Sequence, residues 1–202
     1  MNEDRDRQFS LEALRNGDRD EFARLVDTFS GAIYRLGIKM LGNQQDAEDV
    51  LQNTFLKALQ YMHTLEGRSS LSTWLYRIAT NEALMLIRRH HPETDLGTDE
   101  GDEGTRPENL VDWCCLPEEE LLSEEGRSLL DRAIQSLPEK LRIVFLLRDI
   151  EGFSIESTAQ ILSISETAVK TRLLRARLRL REDLSNYYGE RVRTRRQIPD
   201  AR

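Results

Sequence analysis

The chain has 202 residues, with 29 Lys and Arg against 36 Asp and Glu and a formal net charge of -7. It contains no run of about 18 apolar residues and starts with charged residues, so we expect neither membrane insertion nor a secretory signal. Two cysteines are too few for a disulfide scaffold, and 11 Gly with 5 Pro are too few for the many turns of an all-β fold. The composition therefore favours an all-α protein of the cytoplasm.

The charges are unevenly distributed along the chain. Residues 91–126 contain 13 acidic side chains and one basic side chain, whereas residues 170–181 contain six basic side chains and no acidic one. The polar, acidic segment is typical of a flexible linker, and the basic segment indicates a polyanionic partner. We therefore predict two small helical domains, residues 10–91 and 121–186, joined by an acidic flexible linker at 92–120. A basic tail at 187–202 is expected to be disordered.

The N-terminal half predicts three helices. Apolar residues from Phe22 to Met40 recur at steps of three and four, and Gly42 ends this first helix. Asn43 can cap a second helix. Ser72 or Thr73 can cap a third, which extends to about Arg89. The side chains predicted to be buried on the second helix are Ala47, Val50, Leu51, Phe55, Ala58 and Leu59.

The C-terminal half predicts a helix-turn-helix domain. Pro138 suits the first position of one helix, and Ser154 can cap a short second helix. A turn at 163–165 separates this helix from a last one, which Ser165 caps and which extends to about Ser185. The side chains expected in its core are Val169, Leu173, Ala176 and Leu180. The basic side chains then face outwards without local partners, an arrangement that suits a helix in the DNA major groove.

Four segments, taken together and in this order, resemble the conserved regions of a known family. Residues 46–59 resemble region 2.2 of bacterial sigma factors, and residues 70–81 with 87–89 resemble regions 2.3 and 2.4. Residues 137–148 and 167–177 resemble region 4. The chain is similar to the two-domain extracytoplasmic function (ECF) sigma factors of the sigma-70 family. The family usually has Gly where this chain has Ser163, so we expect Ser163 to adopt the turn conformation at some cost.

The resemblance implies a function and a set of partners. The chain would bind core RNA polymerase through the β′ clamp helices and the β flap, and would direct promoter-specific initiation in a stress or envelope response. Promoter DNA and an anti-sigma factor are the other implied partners. No enzyme activity, cofactor or metal site is expected.

The resemblance also implies site residues. The implied polymerase contacts are Asp46, Asp49, Gln52, Phe55 and Lys57. The implied contacts to the minus-ten element are Arg68, Ser70, Trp74, Arg77, Asn81, Arg88 and Arg89. The implied contacts to the minus-thirty-five element are Ser165, Glu166, Thr167, Lys170, Thr171, Leu174, Arg175 and Arg177. Trp74 has a second interpretation as a core residue, because Trp beside an apolar position at a helix start usually packs inward.

Two other function classes remain to be weighed. A stand-alone helix-turn-helix regulator would explain the C-terminal half, but it would leave the N-terminal motifs unexplained. An enzyme would need a phosphate loop, a nucleophile motif or a metal cluster, and we find none of these motifs in a sequence with three His. Cys114 and Cys115 have no His or Cys at metal-ligand spacing, so we predict free thiols.

Overall fold

The computed structural model describes residues 6, 8–65, 69–90 and 124–196, with residues 124, 125 and 186–196 described by their backbone alone. Within these ranges the chain is helical and contains no strand, which confirms the predicted fold class. The expected linker at 92–120 lies outside the described residues. Among the described helices, none has the length and apolar character needed to cross a membrane.

The helices form two groups, which we call the first and the second helical unit. The first unit comprises α1 (Leu11–Arg15), α2 (Arg19–Leu41), α3 (Gln44–Tyr61), a 3-10 turn (Met62–Thr64) and α4 (Leu71–His90). The second unit comprises α5 (Glu124–Ser136), α6 (Glu139–Phe145), α7 (Ile155–Leu162) and α8 (Glu166–Arg196). Residues Leu146–Ile150 prolong α6 with wider, π-helical turns.

Helix α2 has the ends that its sequence dictates. The Asp18 carboxylate accepts hydrogen bonds of 3.0 Å from the backbone N–H groups of Asp20 and Glu21, which otherwise lack helical partners. Gly42 ends the helix with a left-handed φ of 77°, as predicted, and its N–H donates to the Ile38 carbonyl over 2.8 Å. The fully buried stripe of α2 includes Leu25, Phe29, Ile33, Leu36 and Met40.

Helices α3 and α4 depart from the prediction at two points. Asn43 caps α3 as expected, accepting from the Asp46 N–H over 2.8 Å. Leu59, however, is 57% exposed, so its predicted burial is wrong. Helix α4 is capped by Ser70, whose side chain accepts from the Thr73 N–H over 3.2 Å, instead of by Ser72 or Thr73 itself. The hydroxyl oxygen suits a cap at any of these three residues, so composition alone did not select the right one.

The caps of the second unit follow the prediction with one shift. Pro138 is the cap of α6 and not its first helical residue, since its carbonyl accepts the first helical bonds. Ser154 caps α7 and accepts from the Ser157 N–H over 2.9 Å. Ser165 caps α8 and accepts from the Ala168 N–H over 3.1 Å. Between them Ser163 has a φ of 55° and a ψ of 43°, which confirms the expected turn conformation.

Helix α8 packs with the predicted side and ends later than predicted. The four residues expected in the core are buried: Val169, Leu173, Ala176 and Leu180. The backbone continues as a helix to Arg196, beyond the expected end near Ser185. The expected disorder of the tail stays a prediction, and residues 197–202 lie outside the described residues.

The two units pack against each other. Helix α4 of the first unit contacts α7 of the second, and α2 contacts α5 and α6. The fully buried Tyr76 ring of α4 meets the Phe153 ring edge to face, with 4.7 Å between ring centroids. Because buried apolar residues of both units form one continuous cluster, the units share part of their core.

Candidate polymerase and nucleic-acid interfaces

A cleft of about 420 Å³ lies between α3 and α4. Its lining residues are Lys57, Tyr61, Ile78, Asn81, Glu82, Leu84, Met85 and Arg88. The cleft therefore brings Lys57, an expected polymerase contact, together with Asn81 and Arg88, which were expected to contact the minus-ten element. Spacing in the sequence did not predict this grouping.

An ion pair spans the cleft. The Lys57 ammonium donates to the Glu82 carboxylate over 2.5 Å, and the Glu82 side chain is only 9% exposed. A carboxylate this buried needs a cationic partner, because burial without one is costly. Lys57 and Glu82 cancel in formal charge, so Arg88 gives the lining a net charge of +1.

The face of α3 expected to contact polymerase is partly committed to the fold. Phe55 is buried, as its place in the apolar stripe predicts, and it meets Phe22 edge to face, with ring centroids 6.5 Å apart. Its contact with polymerase stays a prediction. The half-buried Asp46 accepts from the Asn43 side chain over 2.6 Å and lies 3.4 Å from His90 Nδ1. Asp49 is half-buried.

The exposed face of α3 is more apolar than expected. Gln52, Leu56 and Leu59 recur at steps of four and three, so they lie on one side of the helix. Leu56 is 58% exposed and Leu59 is 57% exposed. The sequence analysis did not single out Leu56, and it assigned Leu59 to the core. The reason is that the sequence does not show whether an apolar residue at the border of a buried stripe faces the core or the solvent.

The residues expected at the minus-ten element lie mostly on one helix. Along α4, exposed side chains are Arg77, Asn81, Arg88 and Arg89. Trp74 is half-buried and packs against the core. This position is compatible with a core role and with stacking on a DNA base, the two interpretations of Trp74 from the sequence. Ser70 caps the helix through its hydroxyl, and Arg68 lies outside the described residues.

The N-terminal end of α8 forms the exposed side of a helix-turn-helix. Exposed side chains there are Ser165, Glu166, Thr167, Lys170, Thr171 and Leu174. Leu174 is 60% exposed. Lys170 lies 3.8 Å from the Glu166 carboxylate, a loose pair one helical turn apart, and Arg175 is half-buried.

Arg177 has a different environment from the tip of α8. Its guanidinium donates to both oxygens of Asp149, over 2.8 Å and 2.6 Å. These hydrogen bonds raise the pKa of Arg177 above its usual value, against a smaller opposing effect of burial. The expectation that the basic residues of this helix lack local partners is therefore wrong, and Arg177 ties α8 to the π-helical turns.

The described residues bring together no group of three or more His, Cys, Asp or Glu side chains that could hold a metal ion. Cys114 and Cys115, predicted to be free thiols, lie outside the described residues.

Comparisons with known families match both halves of the chain. The family described as Sigma-70 region 2 matches residues 25–92. The family described as Sigma-70, region 4 matches residues 127–180. The two matches fall on the first and the second helical unit, in the order that the sequence resemblance implies.

Relatives with similar sequences extend over most of the chain. The ECF RNA polymerase sigma factor SigW of Bacillus subtilis is 37% identical over 176 residues, covering 86% of this chain and 94% of SigW. The ECF RNA polymerase sigma-E factor of Escherichia coli K12 is 34% identical over 180 residues, covering 88% of this chain and 93% of that protein.

Solved structures are similar in fold. The sigma factor RpoE of Bartonella quintana, crystallised with the anti-sigma factor NepR, has a TM-score of 0.60 and 25% identity, covering 81% of this chain and 96% of RpoE. CnrH in complex with the cytosolic domain of CnrY has a TM-score of 0.64 and 22% identity, covering 87% of this chain and 95% of CnrH. With both region families and the full-length relatives in agreement, the chain belongs to the ECF sigma factors of the sigma-70 family, the subunits that give RNA polymerase its promoter specificity.

Proposed function

We propose that this sigma factor binds core polymerase with α3 and reads the two promoter elements with two separate surfaces, the cleft between α3 and α4 and the tip of α8. The observation that carries the proposal is that large apolar side chains are exposed at each of these places, beside exposed polar ones. They are Leu56 and Leu59 on α3, Tyr61 and Met85 in the cleft, and Leu174 at the tip of α8. Each place matches a site that the family resemblance implies.

The cleft suits a single strand of the minus-ten element. Binding an unstacked base requires an aromatic or apolar surface, hydrogen-bonding groups and a cation for the backbone. Tyr61 and Met85 supply exposed apolar surface, Asn81 supplies an amide, and Arg88 supplies the cation. Lys57 then acts here and not in a polymerase contact, and it also neutralises Glu82.

The tip of α8 suits duplex DNA of the minus-thirty-five element. One face of the helix presents four residues together at positions i, i+3, i+4 and i+7: Thr167, Lys170, Thr171 and Leu174. Lys170 can bind a phosphate or a guanine, Thr167 and Thr171 can hydrogen-bond, and Leu174 can contact a thymine methyl group. Arg177 contributes through the stability of α8, because Asp149 holds its guanidinium.

The exposed face of α3 suits a helical protein partner. Leu56 and Leu59 form a small exposed apolar patch beside the polar Gln52, and a helix-on-helix contact buries apolar side chains at this spacing. The β′ clamp helices are the partner that the family resemblance implies. We propose that the second unit contacts the β flap of core polymerase, and we assign no residues to this contact.

The remaining features of the proposal follow from this role. The protein acts in the cytoplasm, where polymerase is, and it has no catalytic activity or cofactor of its own. Because the RpoE relative crystallised with NepR, we propose an anti-sigma factor as inhibitor, in a stress or envelope response. The match to region 2 disfavours a stand-alone regulator, which would have no use for those residues.

Binding to purified core polymerase tests the α3 surface. Replacing Leu56 and Leu59 by Ser should weaken binding at least tenfold, since truncating buried interface anchors typically costs about 1–2 kcal/mol each. Gln60→Ser, on the same helix and also exposed, is the matched control and should bind like wild type. Equal affinities for the double variant and the control would contradict the proposal.

Transcription by the reconstituted holoenzyme tests the two DNA surfaces separately. Leu174→Ala should lower initiation in a way that depends on the base sequence of the minus-thirty-five element. Asn81→Ala should make initiation depend less on the minus-ten sequence. Glu182→Ala, exposed on α8 well beyond its tip, is the control. If both variants lowered initiation without any change in sequence preference, the assignment of these surfaces would be wrong.

A further inference from the structure

A carboxylate from outside α4 caps the first turn of that helix. The Asp6 carboxylate accepts hydrogen bonds from the backbone N–H and the hydroxyl of Ser72, each over 2.9 Å. The Ser70 hydroxyl accepts from the Thr73 N–H, the next one along the helix. The first N–H groups of a helix have no partners within it, and a negative charge there complements the helix dipole. Asp6 and Ser70 therefore divide the capping of α4 between them.

The hydroxyl groups of this turn form one network with Asp6. The Ser70 hydroxyl donates to the Thr73 hydroxyl over 2.9 Å, and its oxygen lies 3.1 Å from the Ser72 hydroxyl. Ser72 and Thr73 are buried. Buried hydroxyl groups are costly without partners, so the network is stable only while each member is bonded. Loss of the Asp6 carboxylate would therefore disturb Ser70, an expected contact to the minus-ten element.

The segment that carries Asp6 is anchored to α2. We call Asp6 and residues 8–10 the leading segment. The Ser10 N–H donates to one oxygen of the Glu21 carboxylate over 2.6 Å, and Arg24 donates to the other oxygen over 2.6 Å. The Glu21 side chain is only 10% exposed, and a carboxylate this buried needs such partners. The leading segment is therefore bound to α2 by charged hydrogen bonds.

Packing supports this anchor. The buried Phe9 ring lies against the Phe29 ring of α2, with 6.0 Å between centroids, and the Arg24 guanidinium lies 5.6 Å from the Phe9 centroid. Helix α1, which follows the leading segment, contacts the 3-10 turn after α3. Asp6 and Ser72 are 66 positions apart in the sequence, so their contact is tertiary and joins α2, through the leading segment, to the first turn of α4.

The first turn of α4 carries one end of the proposed minus-ten surface. Ser70 precedes the helix, Trp74 directly follows Thr73, and Arg77 lies exposed one turn later. A single strand binds more tightly to a surface that is ordered beforehand, because less conformational freedom is lost on binding. The order of this turn therefore affects the affinity for the minus-ten strand.

We propose that Asp6 is a positioning residue for the minus-ten strand, because its carboxylate holds the first turn of α4 in the conformation that binds this strand. Asp6 acts through Ser72 and does not itself contact DNA. The inference rests on the proposed function, since it concerns how the proposed minus-ten surface is ordered. The α3 surface for polymerase and the tip of α8 do not use this turn, so Asp6 should matter for neither.

Two variants of Asp6 separate its hydrogen bonds from its charge. Asp6→Ala removes both acceptors of Ser72. Asp6→Asn keeps one oxygen that can accept from the Ser72 N–H, but it loses the charge, so it should rescue part of the effect. Asp20→Ala is the matched control, since it removes an exposed carboxylate from the first turn of α2, where Asp18 supplies the cap.

Hydrogen exchange in the full free chain tests the contact itself. The backbone amides of residues 71–74 should exchange about five- to tenfold faster in Asp6→Ala than in wild type, because loss of a cap shifts the order of a helix end by about this factor. The same amides should be unaffected in Asp20→Ala. Urea unfolding shows that each variant is folded under the conditions used. Unchanged exchange in Asp6→Ala would overturn the proposal.

Binding of the holoenzyme to single-stranded DNA tests the consequence. The probe is a fluorescein-labelled strand with the minus-ten element of a promoter that the wild-type holoenzyme transcribes. Asp6→Ala should bind this strand about three- to tenfold more weakly, and the affinity of Asp6→Asn should lie between those of Asp6→Ala and wild type. Affinity for core polymerase should stay at the wild-type value in all variants.

Two results of the binding experiment would also overturn the proposal. If Asp6→Ala bound the strand as tightly as Asp20→Ala, the order of this turn would not limit strand binding. If Asp6→Ala lost affinity for the strand and for core polymerase to the same extent, Asp6 would have a general structural role and no positioning role. A wild-type holoenzyme that transcribed no promoter would instead contradict the proposed function, and only the ordering of α4 by Asp6, which hydrogen exchange measures, would stand.

Discussion

The turn of the helix-turn-helix holds a serine in a conformation that favours glycine. Ser163 ends α7 with a φ of 55°, whereas Gly17, Gly42 and Gly152 occupy the other positive-φ positions among the described residues. A side chain in this left-handed region costs about 1–2 kcal/mol. The Ser163 hydroxyl gains little in return, because its bond to Arg77 is 3.3 Å long and exposed. Replacement of Ser163 by Gly should therefore stabilise the protein.

The expected gain is the difference of two opposing effects. Relief of the left-handed strain contributes about 1–2 kcal/mol, and the greater freedom of glycine in the unfolded chain removes about 0.5–1 kcal/mol. Loss of the weak bond to Arg77 subtracts less than about 0.5 kcal/mol. The free energy of unfolding of Ser163→Gly should thus rise by about 0.5 kcal/mol, the difference of the mid-range values.

Urea unfolding followed by far-ultraviolet circular dichroism measures this change. The midpoint of Ser163→Gly should move to higher urea with an unchanged slope. Ser163→Ala keeps the strain and lacks the hydroxyl, so it should be no more stable than wild type. If the Gly variant unfolded at the same urea concentration as the Ala variant, backbone strain at this turn would not be the cause.

The remaining predictions concern packing and charge. A Cβ at Gly37 would lie 3.0 Å from the backbone of α3, so Gly37→Ala should lower the free energy of unfolding by about 1–2 kcal/mol, whereas exposed Gly31→Ala should raise it by about 0.5–1 kcal/mol. Urea midpoints that move in the same direction would contradict this packing. Lys170→Ala should lower the salt slope of holoenzyme binding to promoter duplex by about 1, and an unchanged slope would mean that Lys170 contacts no phosphate. Arg177→Ala should lower the free energy of unfolding by about 0.5 kcal/mol, seen as a lower urea midpoint, because Asp149 holds the Arg177 guanidinium. A loss of one full unit from the salt slope of promoter binding, without a change in the urea midpoint, would refute this role.

The local structure was predictable from the sequence where backbone chemistry decides it. Asn43, Ser154 and Ser165 each precede an amphipathic run and cap the helix that follows, because their side-chain oxygens suit the free N–H groups there. Gly42 ends α2 because only a residue without a side chain adopts its φ without strain. Short-range patterns carry this information at these positions, although they did not select Ser70 as the cap of α4.

Features that depend on distant contacts were not predictable in the same way. The apolar residues Phe55 and Leu59 look alike in the sequence, yet one packs against Phe22 and the other lies exposed. The pairing of Lys57 with Glu82 and the burial of Tyr76 depend on how separate helices meet. Helical periodicity fixes a direction around one helix but not the width of the surface that its neighbours cover.

Run-off transcription with purified core polymerase tests the central claim most directly. The templates are a pool of promoter-like fragments, and core polymerase is supplied with or without this chain. The account predicts transcripts that start at defined positions only when the chain is added, with shared sequence elements upstream at minus-ten and minus-thirty-five. Sequence-specific binding of the free chain to DNA, without any transcript in the presence of core polymerase, would contradict it.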